Sequence, residues 1–269
     1  MKRLGEVLAE RGVPVDPIRA AITEAGSTRV YLAASAFSHR IDLLLPFQPA
    51  ALVAIAPRIA VPSIPPRAML LISADGEQLA ASMVVMGAVA ASDAIADVAP
   101  AGGRDAWRAI VDSLIALPGG TLTSRTRSLT DARGTIAIRY LDRDPEADPP
   151  LQDGIVDIAA KLGVSETQRA LWRKLHAANG VGPAVTIATH CVESGPAPEL
   201  GFLYRATQWD HAITLANLIA SGALARSVAA ALGTLAGTLQ VDELSAVEVL
   251  LGRGEPDVVV WTTLQLDSE

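Results

Sequence analysis

The sequence predicts an α+β fold in which antiparallel hairpins alternate with helices. Two observations point to it. Pairs of segments with period-two hydrophobicity, joined by short turns, recur along the chain, and segments of helical period lie between the pairs rather than between single strands. A doubly wound sheet is excluded on this order, because parallel neighbours need a helix after every strand.

Leu4, Val7 and Leu8, then Ile18, Ala21 and Ile22, recur at helical spacing and are punctuated by Pro14 and Pro17. Thr28 to Ser35 and His39 to Leu45 then alternate at period two about a turn near Ser38, which predicts the first hairpin. Six prolines between Pro46 and Pro66 leave room for one short helix between Ala50 and Ile59. A second hairpin is expected from Ala68 to Ser73 and Gln78 to Met86 across Asp75-Gly76, the alternative being that the second segment begins the helix that runs to Val98. Arg104 to Leu117 reads as a helix stopped by Pro118-Gly119-Gly120.

The third hairpin is expected from Thr121 to Leu129 and Gly134 to Asp142. The acidic loop from Asp142 to Asp153 leads to helices at Ile155 to Leu162 and Glu166 to Ala178, the second capped by Ser165. A fourth hairpin covers Ala184 to Val192 and Leu200 to Thr207. Helices starting at His211, Arg226 and Asp242 are expected before a last strand from Asp257 to Leu266.

Composition narrows the function. Half of the 269 residues are hydrophobic, enough for one large domain or two small ones. A net charge of -7 with interleaved signs argues against nucleic acid as a partner. Only Lys2, Lys161 and Lys174 among the 22 basic residues are lysines, so fixed positive charge is almost all guanidinium, the better grip on phosphate or carboxylate. The single cysteine, Cys191, and the acidic residues near the N-terminus suit a cytoplasmic protein. No apolar stretch reaches the ~20 residues of a membrane span.

The strand faces carry the functional signal. Ile41/Leu43/Leu45, Ile136/Ile138/Tyr140 and Val185/Ile187 form apolar faces, whereas Arg40/Asp42, Thr135/Arg139 and Thr186/His190 form polar ones. Hairpins closed into a ring would turn the polar faces onto a wet chamber and the apolar faces onto helices. An open sheet with one solvated face makes the same alternation.

The repeated helix–strand–strand–helix order resembles that of the ABBA-type (PT-barrel) aromatic prenyltransferases. The segment Val30 to Leu43 looks like the family's first hairpin, and Thr121 to Tyr140, Ile155 to Gly163 and 183 to 207 follow its later units in spacing. The resemblance implies roughly ten antiparallel strands closed into a barrel inside a coat of helices, a single domain over residues 1–269. It also implies transfer of a prenyl group from an allylic diphosphate to an aromatic small molecule in secondary metabolism, with Asp42 helping to hold an optional magnesium ion. With aromatics at 4% and only three tyrosines, the diphosphate site is expected to be built from arginine.

The candidate substrate-binding residues are therefore Arg29, Tyr31, Arg40, Arg67, Arg125, Arg127, Arg139, Thr186 and Trp261. Arg125 and Arg127 share one strand face, where an anion would relieve their repulsion. Tyr31 and Tyr204 would line the chamber, and Trp261 would floor it. His190, facing inward with Thr186, is a candidate proton acceptor, while Cys191 points to the opposite face, which argues against a Cys/His dyad. The alternative function is a cyclase or isomerase in the same barrel, or a carrier of a hydrophobic ligand, with Asp42, His190 and Tyr204 handling protons in the enzyme case.

Overall fold

The computed structural model describes residues 1–140, 148–178, 185–205, 216, 218–222, 224–239, 244–253 and 255–266. The chain opens with α1 (Lys2–Glu10) and α2 (Val15–Ala25), which ends where Gly26 adopts the left-handed conformation at φ 59°. The hairpin β1 (Arg29–Ser35) and β2 (Ile41–Pro46) leads to the short α3 (Pro49–Ile55). Next come β3 (Ala68–Asp75) and β4 (Gln78–Met86), turned by Gly76 at φ 56°, then α4 (Ala91–Val98) and α5 (Arg104–Ala116). β5 (Gly120–Ser128) and β6 (Gly134–Tyr140) precede α6 (Asp148–Lys161) and α7 (Glu166–Ala178). β7 (Val185–Val192), β8 (Gly195–Arg205), α8 (Arg226–Leu239), β9 (Leu244–Leu251) and β10 (Asp257–Gln265) complete the order.

Every neighbouring pair is antiparallel, and β10 hydrogen-bonds to β1, with Arg29 opposite Gln265 and Ser35 opposite Val259. The sheet is thus a closed barrel of ten strands, not an open layer. One expectation is corrected here: the segment after Asp242 forms β9 rather than a helix. Leu244, Val247 and Leu251 fit a helical period, but Val247, Val249 and Leu251 also fit period two. Pairing settles the choice, because β9 satisfies the open edges of both β8 and β10. Most of the helix expected from His211 falls outside the described residues.

The core lies between the barrel and its helices. Leu43, Leu45, Leu70 and Ile72 of β2 and β3 pack against Leu8, Ile18, Ile22 and Leu52 of α1 to α3. Ile136, Ile138, Ile187, Phe202 and Val249 pack against Trp107, Val111, Leu114, Ile155 and Trp172 of α5 to α7. Polar stitches pin this contact. Trp107 Nε1 donates to Thr189 Oγ1 at 3.2 Å, and the Tyr140 hydroxyl donates to the Leu114 carbonyl at 2.5 Å. A Cβ on Gly134 would stand 2.3 Å from the Val98 carbonyl oxygen, so the end of α4 needs glycine beneath it. Among the described residues no helix is long and apolar enough to cross a membrane.

Candidate functional site

Burial shows which residues line the barrel. Along β3, β6 and β7 fully buried residues alternate with residues that keep part of their surface. The buried set belongs to the two helix-packed cores, so the other set faces the lumen and touches open space there. Five hairpin turns, those of β1–β2, β3–β4, β5–β6, β7–β8 and β9–β10, lie at one end of the barrel. Strand position therefore reports position along the axis.

Toward the hairpin end the lumen is rich in carboxylates. Arg40 grips Asp42 with two contacts, Nη2 to Oδ2 at 2.8 Å and Nε to Oδ1 at 3.2 Å. Asp257 accepts from Ser35 Oγ at 2.7 Å, and the same oxygen accepts from the backbone N–H groups of Phe37 and Ser38. On β9, Glu248 Oε2 accepts from Trp261 Nε1 at 3.2 Å. His190 Nδ1 stands 2.9 Å from Thr135 Oγ1, while its Nε2 is buried without a partner among the described residues.

Their charges are coupled. Burial pushes the Glu248 carboxyl above its ordinary range, opposed by the Trp261 hydrogen bond and the Arg40 charge and reinforced by Asp42 and Asp257. Burial also depresses His190, helped by Arg40 and Arg133 and opposed by Glu199, so its imidazole is held neutral. Arg40 loses hydration on burial, but the charge and hydrogen bond of Asp42, with Glu248 and Asp257, more than restore its proton affinity.

The opposite end has a different character. Arg29 opens β1, Arg139 is next to last in β6, and Thr186 lies opposite Arg139 on β7. Arg139 faces the lumen, and its Nε is buried with no hydrogen-bond partner among the described residues. Tyr31, 43% exposed, stands at this mouth. Arg67 precedes β3 on the surface, with φ 63°, and lines no strand face.

Three further expected chamber residues lie elsewhere. Arg125 and Arg127 pair with Val85 and Met83, whose side chains belong to the outer core, so both arginines point away from the lumen. The cause is a bulge between Leu122 and Ser124 that reverses the parity of β5. Arg125 Nε instead binds Asp97 Oδ2 of α4 at 2.6 Å, beside a surface cleft of about 420 Å3 lined also by Pro62, Pro65 and Arg127. Tyr204 is likewise on the outer face, its ring 6.2 Å from that of His176 and in the cluster with Trp172 and Phe202.

The structure brings Arg40, Asp42, His190, Arg139, Thr186 and Trp261 to the lumen and adds Glu248, Asp257 and Ser35, which sequence reasoning missed. The alternation of Ala246, Glu248 and Leu250 with Val247, Val249 and Leu251 was the signal for Glu248. Both Asp42 oxygens are taken by Arg40, and among the described residues no group of three or more His, Cys, Asp or Glu side chains stands ready for a metal. With both of its oxygens held by Arg40, Asp42 as it stands offers none to a magnesium ion.

No known sequence family and no curated protein matches the chain. Solved structures do. A 5-dimethylallyltryptophan synthase from Streptomyces coelicolor aligns over 99% of this chain and 95% of its own, with TM-score 0.61 and 13% identity. A 6-dimethylallyltryptophan synthase from Micromonospora olivasterospora, solved in complex with DMASPP and Trp, aligns over 98% and 92%, with TM-score 0.59 and 12% identity. A further 6-dimethylallyl tryptophan synthase aligns over 97% and 93%, with TM-score 0.64 and 14% identity. Ten antiparallel strands closed inside a helical coat, superposing on these enzymes along nearly the whole chain, give this protein the PT-barrel fold of the ABBA-type aromatic prenyltransferases.

Proposed function

We propose that the barrel transfers a prenyl group from an allylic diphosphate to an aromatic small molecule held in the lumen. The observation that carries this reading is the separation of charge along the barrel. A guanidinium, Arg139, whose buried Nε has no partner among the described residues, stands toward one end, and the carboxylates Asp42, Glu248 and Asp257 stand toward the other. A diphosphate placed against Arg139, with Thr186, Arg29 and Tyr31 around the mouth, has its negative charge met by hydrogen-bond donors. An aromatic acceptor deeper in the barrel meets the Glu248 carboxylate and the Trp261 ring.

In this arrangement the allylic C–O bond breaks, and its electron pair leaves with the diphosphate. The ring carbon of the acceptor forms the new C–C bond to the allyl cation, and the proton lost from that carbon passes to a basic group facing the lumen, Glu248 or neutral His190. Trp261 offers a π face to the cation. Arg125, Arg127 and Tyr204 take no part, and a protein-held magnesium ion is not required. A cytoplasmic site of action and a role in secondary metabolism belong to the same proposal.

Calorimetric titration with dimethylallyl diphosphate, with and without magnesium, tests the reading. Arg139→Ala is expected to weaken binding about ten-fold or more, and Arg125→Ala to leave it unchanged. Equal binding by wild type and Arg139→Ala would remove the diphosphate site. The second reading, a cyclase or isomerase working by proton transfer, is favoured by one observation: with Arg125 and Arg127 outside the lumen, its hairpin end gathers Asp42, Glu248, Asp257 and His190 with Arg40 as the cation among them. An aromatic ligand that binds while the diphosphate does not would select it, and product analysis would separate catalysis from mere carriage.

A further inference from the structure

Glu248 is half engaged. Its Oε2 accepts the Trp261 indole N–H, while no described residue bonds its Oε1. The neighbouring inward position on β8, beside β9, is Gly201, where a Cβ would stand 3.0 Å from Glu248 Oε1 and 3.1 Å from Leu250 Cδ2. Ala188 opposite Gly201, Ala246 opposite Trp261, and Ala33 opposite both Trp261 and Asp42 are small inward residues as well, whereas Leu203 and Val259, directly opposite Glu248, wall it with aliphatic carbon. The missing Cβ at Gly201 lets the Glu248 carboxyl lie against the β8 backbone, and Ala246 and Ala33 leave the Trp261 ring uncrowded on the inward face.

The charge in this part of the lumen is unbalanced. Asp42 is neutralised by Arg40, and among the described residues neither Asp257 nor Glu248 forms an ion pair of its own, only the longer-range attraction of Arg40 reaching both. His190 faces the same lumen as a neutral imidazole and adds no positive charge. A neutral or anionic ligand in front of Glu248 would leave this excess uncompensated. A ligand ammonium would compensate it, donating to Oε1 and lying against the Trp261 ring, where carboxylate and aromatic face attract a cation together.

We propose that Glu248 Oε1, lying against Gly201 and flanked by Trp261, is the seat of a protonated amine, so that the acceptor taken by this barrel is an aromatic ring bearing an alkylammonium arm and not a neutral phenol or an aromatic acid. The inference rests on the reading that an aromatic acceptor enters the lumen, but it is tested without any prenyl donor. Glu248 binds and selects here, whatever its part in proton transfer.

The experiment is calorimetric titration of the full chain near neutral pH with three probes of similar size: 2-phenylethylamine, 2-phenylethanol and phenylacetate. The amine is expected to bind about ten-fold or more tightly than the alcohol, and phenylacetate most weakly. Glu248→Gln, isosteric and uncharged, should abolish the preference while leaving alcohol binding in place. Gly201→Ser, which keeps every charge and crowds the Glu248 carboxyl off β8, should weaken the amine selectively, with thermal unfolding checking that each variant is folded. Equal binding of amine and alcohol, binding of none of the three, or a preference that survives Glu248→Gln overturns the inference. Amine preference without diphosphate binding would sink prenyl transfer and leave this subsite standing; Arg139-dependent diphosphate binding without amine preference would do the reverse.

Discussion

Arg40 and Asp42 form a pair of unequal members: the Asp42 side chain is 3% exposed, whereas that of Arg40, held to it through two nitrogens, is 40% exposed. The inequality decides what each substitution does. Arg40→Met leaves a carboxylate with almost no access to water and is expected to cost about 3–5 kcal/mol. Asp42→Asn leaves a guanidinium that still reaches solvent in the lumen and should cost about 1–2 kcal/mol. Urea unfolding of both variants checks the order, and a larger loss for Asp42→Asn would contradict the geometry.

Stability should depend on pH through Glu248 and His190, with opposite signs. The folded-state pKa of Glu248 is raised above the ordinary 4.5, so its contribution is fully present below that value and is lost as pH rises through the folded pKa. Glu248→Gln should therefore gain stability relative to wild type on going from acid to neutral solution. His190 is depressed below the ordinary 6.5, so its contribution is present above 6.5 and lost as pH falls through the folded pKa. His190→Gln should flatten the acid limb of the profile. Unfolding midpoints measured across roughly pH 4 to pH 8 test both signs.

The Trp107–Thr189 hydrogen bond ties α5 to the outer face of β7 inside a fully buried contact. Thr189→Val keeps the shape and strands the indole N–H, at an expected cost of about 1–3 kcal/mol. Trp107→Phe combined with Thr189→Val removes both polar partners, and a double-mutant cycle separates the hydrogen bond from the lost ring volume. Additive losses would show that the bond contributes nothing.

Much of the barrel was legible because its hairpins alternate cleanly. Ile41, Leu43 and Leu45 assign the outer face of β2, which sends Arg40 and Asp42 inward; Ile136 and Ile138 do the same for Arg139, and Val185 and Ile187 for Thr186 and His190. On β5 the alternation fails, since from Thr123 to Ser128 every side chain is polar. The face of Arg125 then depends on a bulge at Leu122/Ser124 that leaves no mark in composition. Tyr204 was misplaced although Leu200 and Phe202, at the same parity, already marked its face as apolar. Glu248 was hidden because its strand was read as a helix, an ambiguity that short apolar runs carry and that only the vacant edges of β8 and β10 resolve.

Ser35 and Asp257 touch across 222 positions of sequence, at the seam where β1 and β10 join. A growing chain therefore presents β1 with one bare edge until the last strand has been made, and β9 waits for the same partner. Loss of β10 would not shorten the ring by one member; it would leave a split cylinder with two unpaired rims, prone to stitch onto another copy. Shelter of the lumen from bulk water thus arrives in one late step, when the two ends of the fold meet.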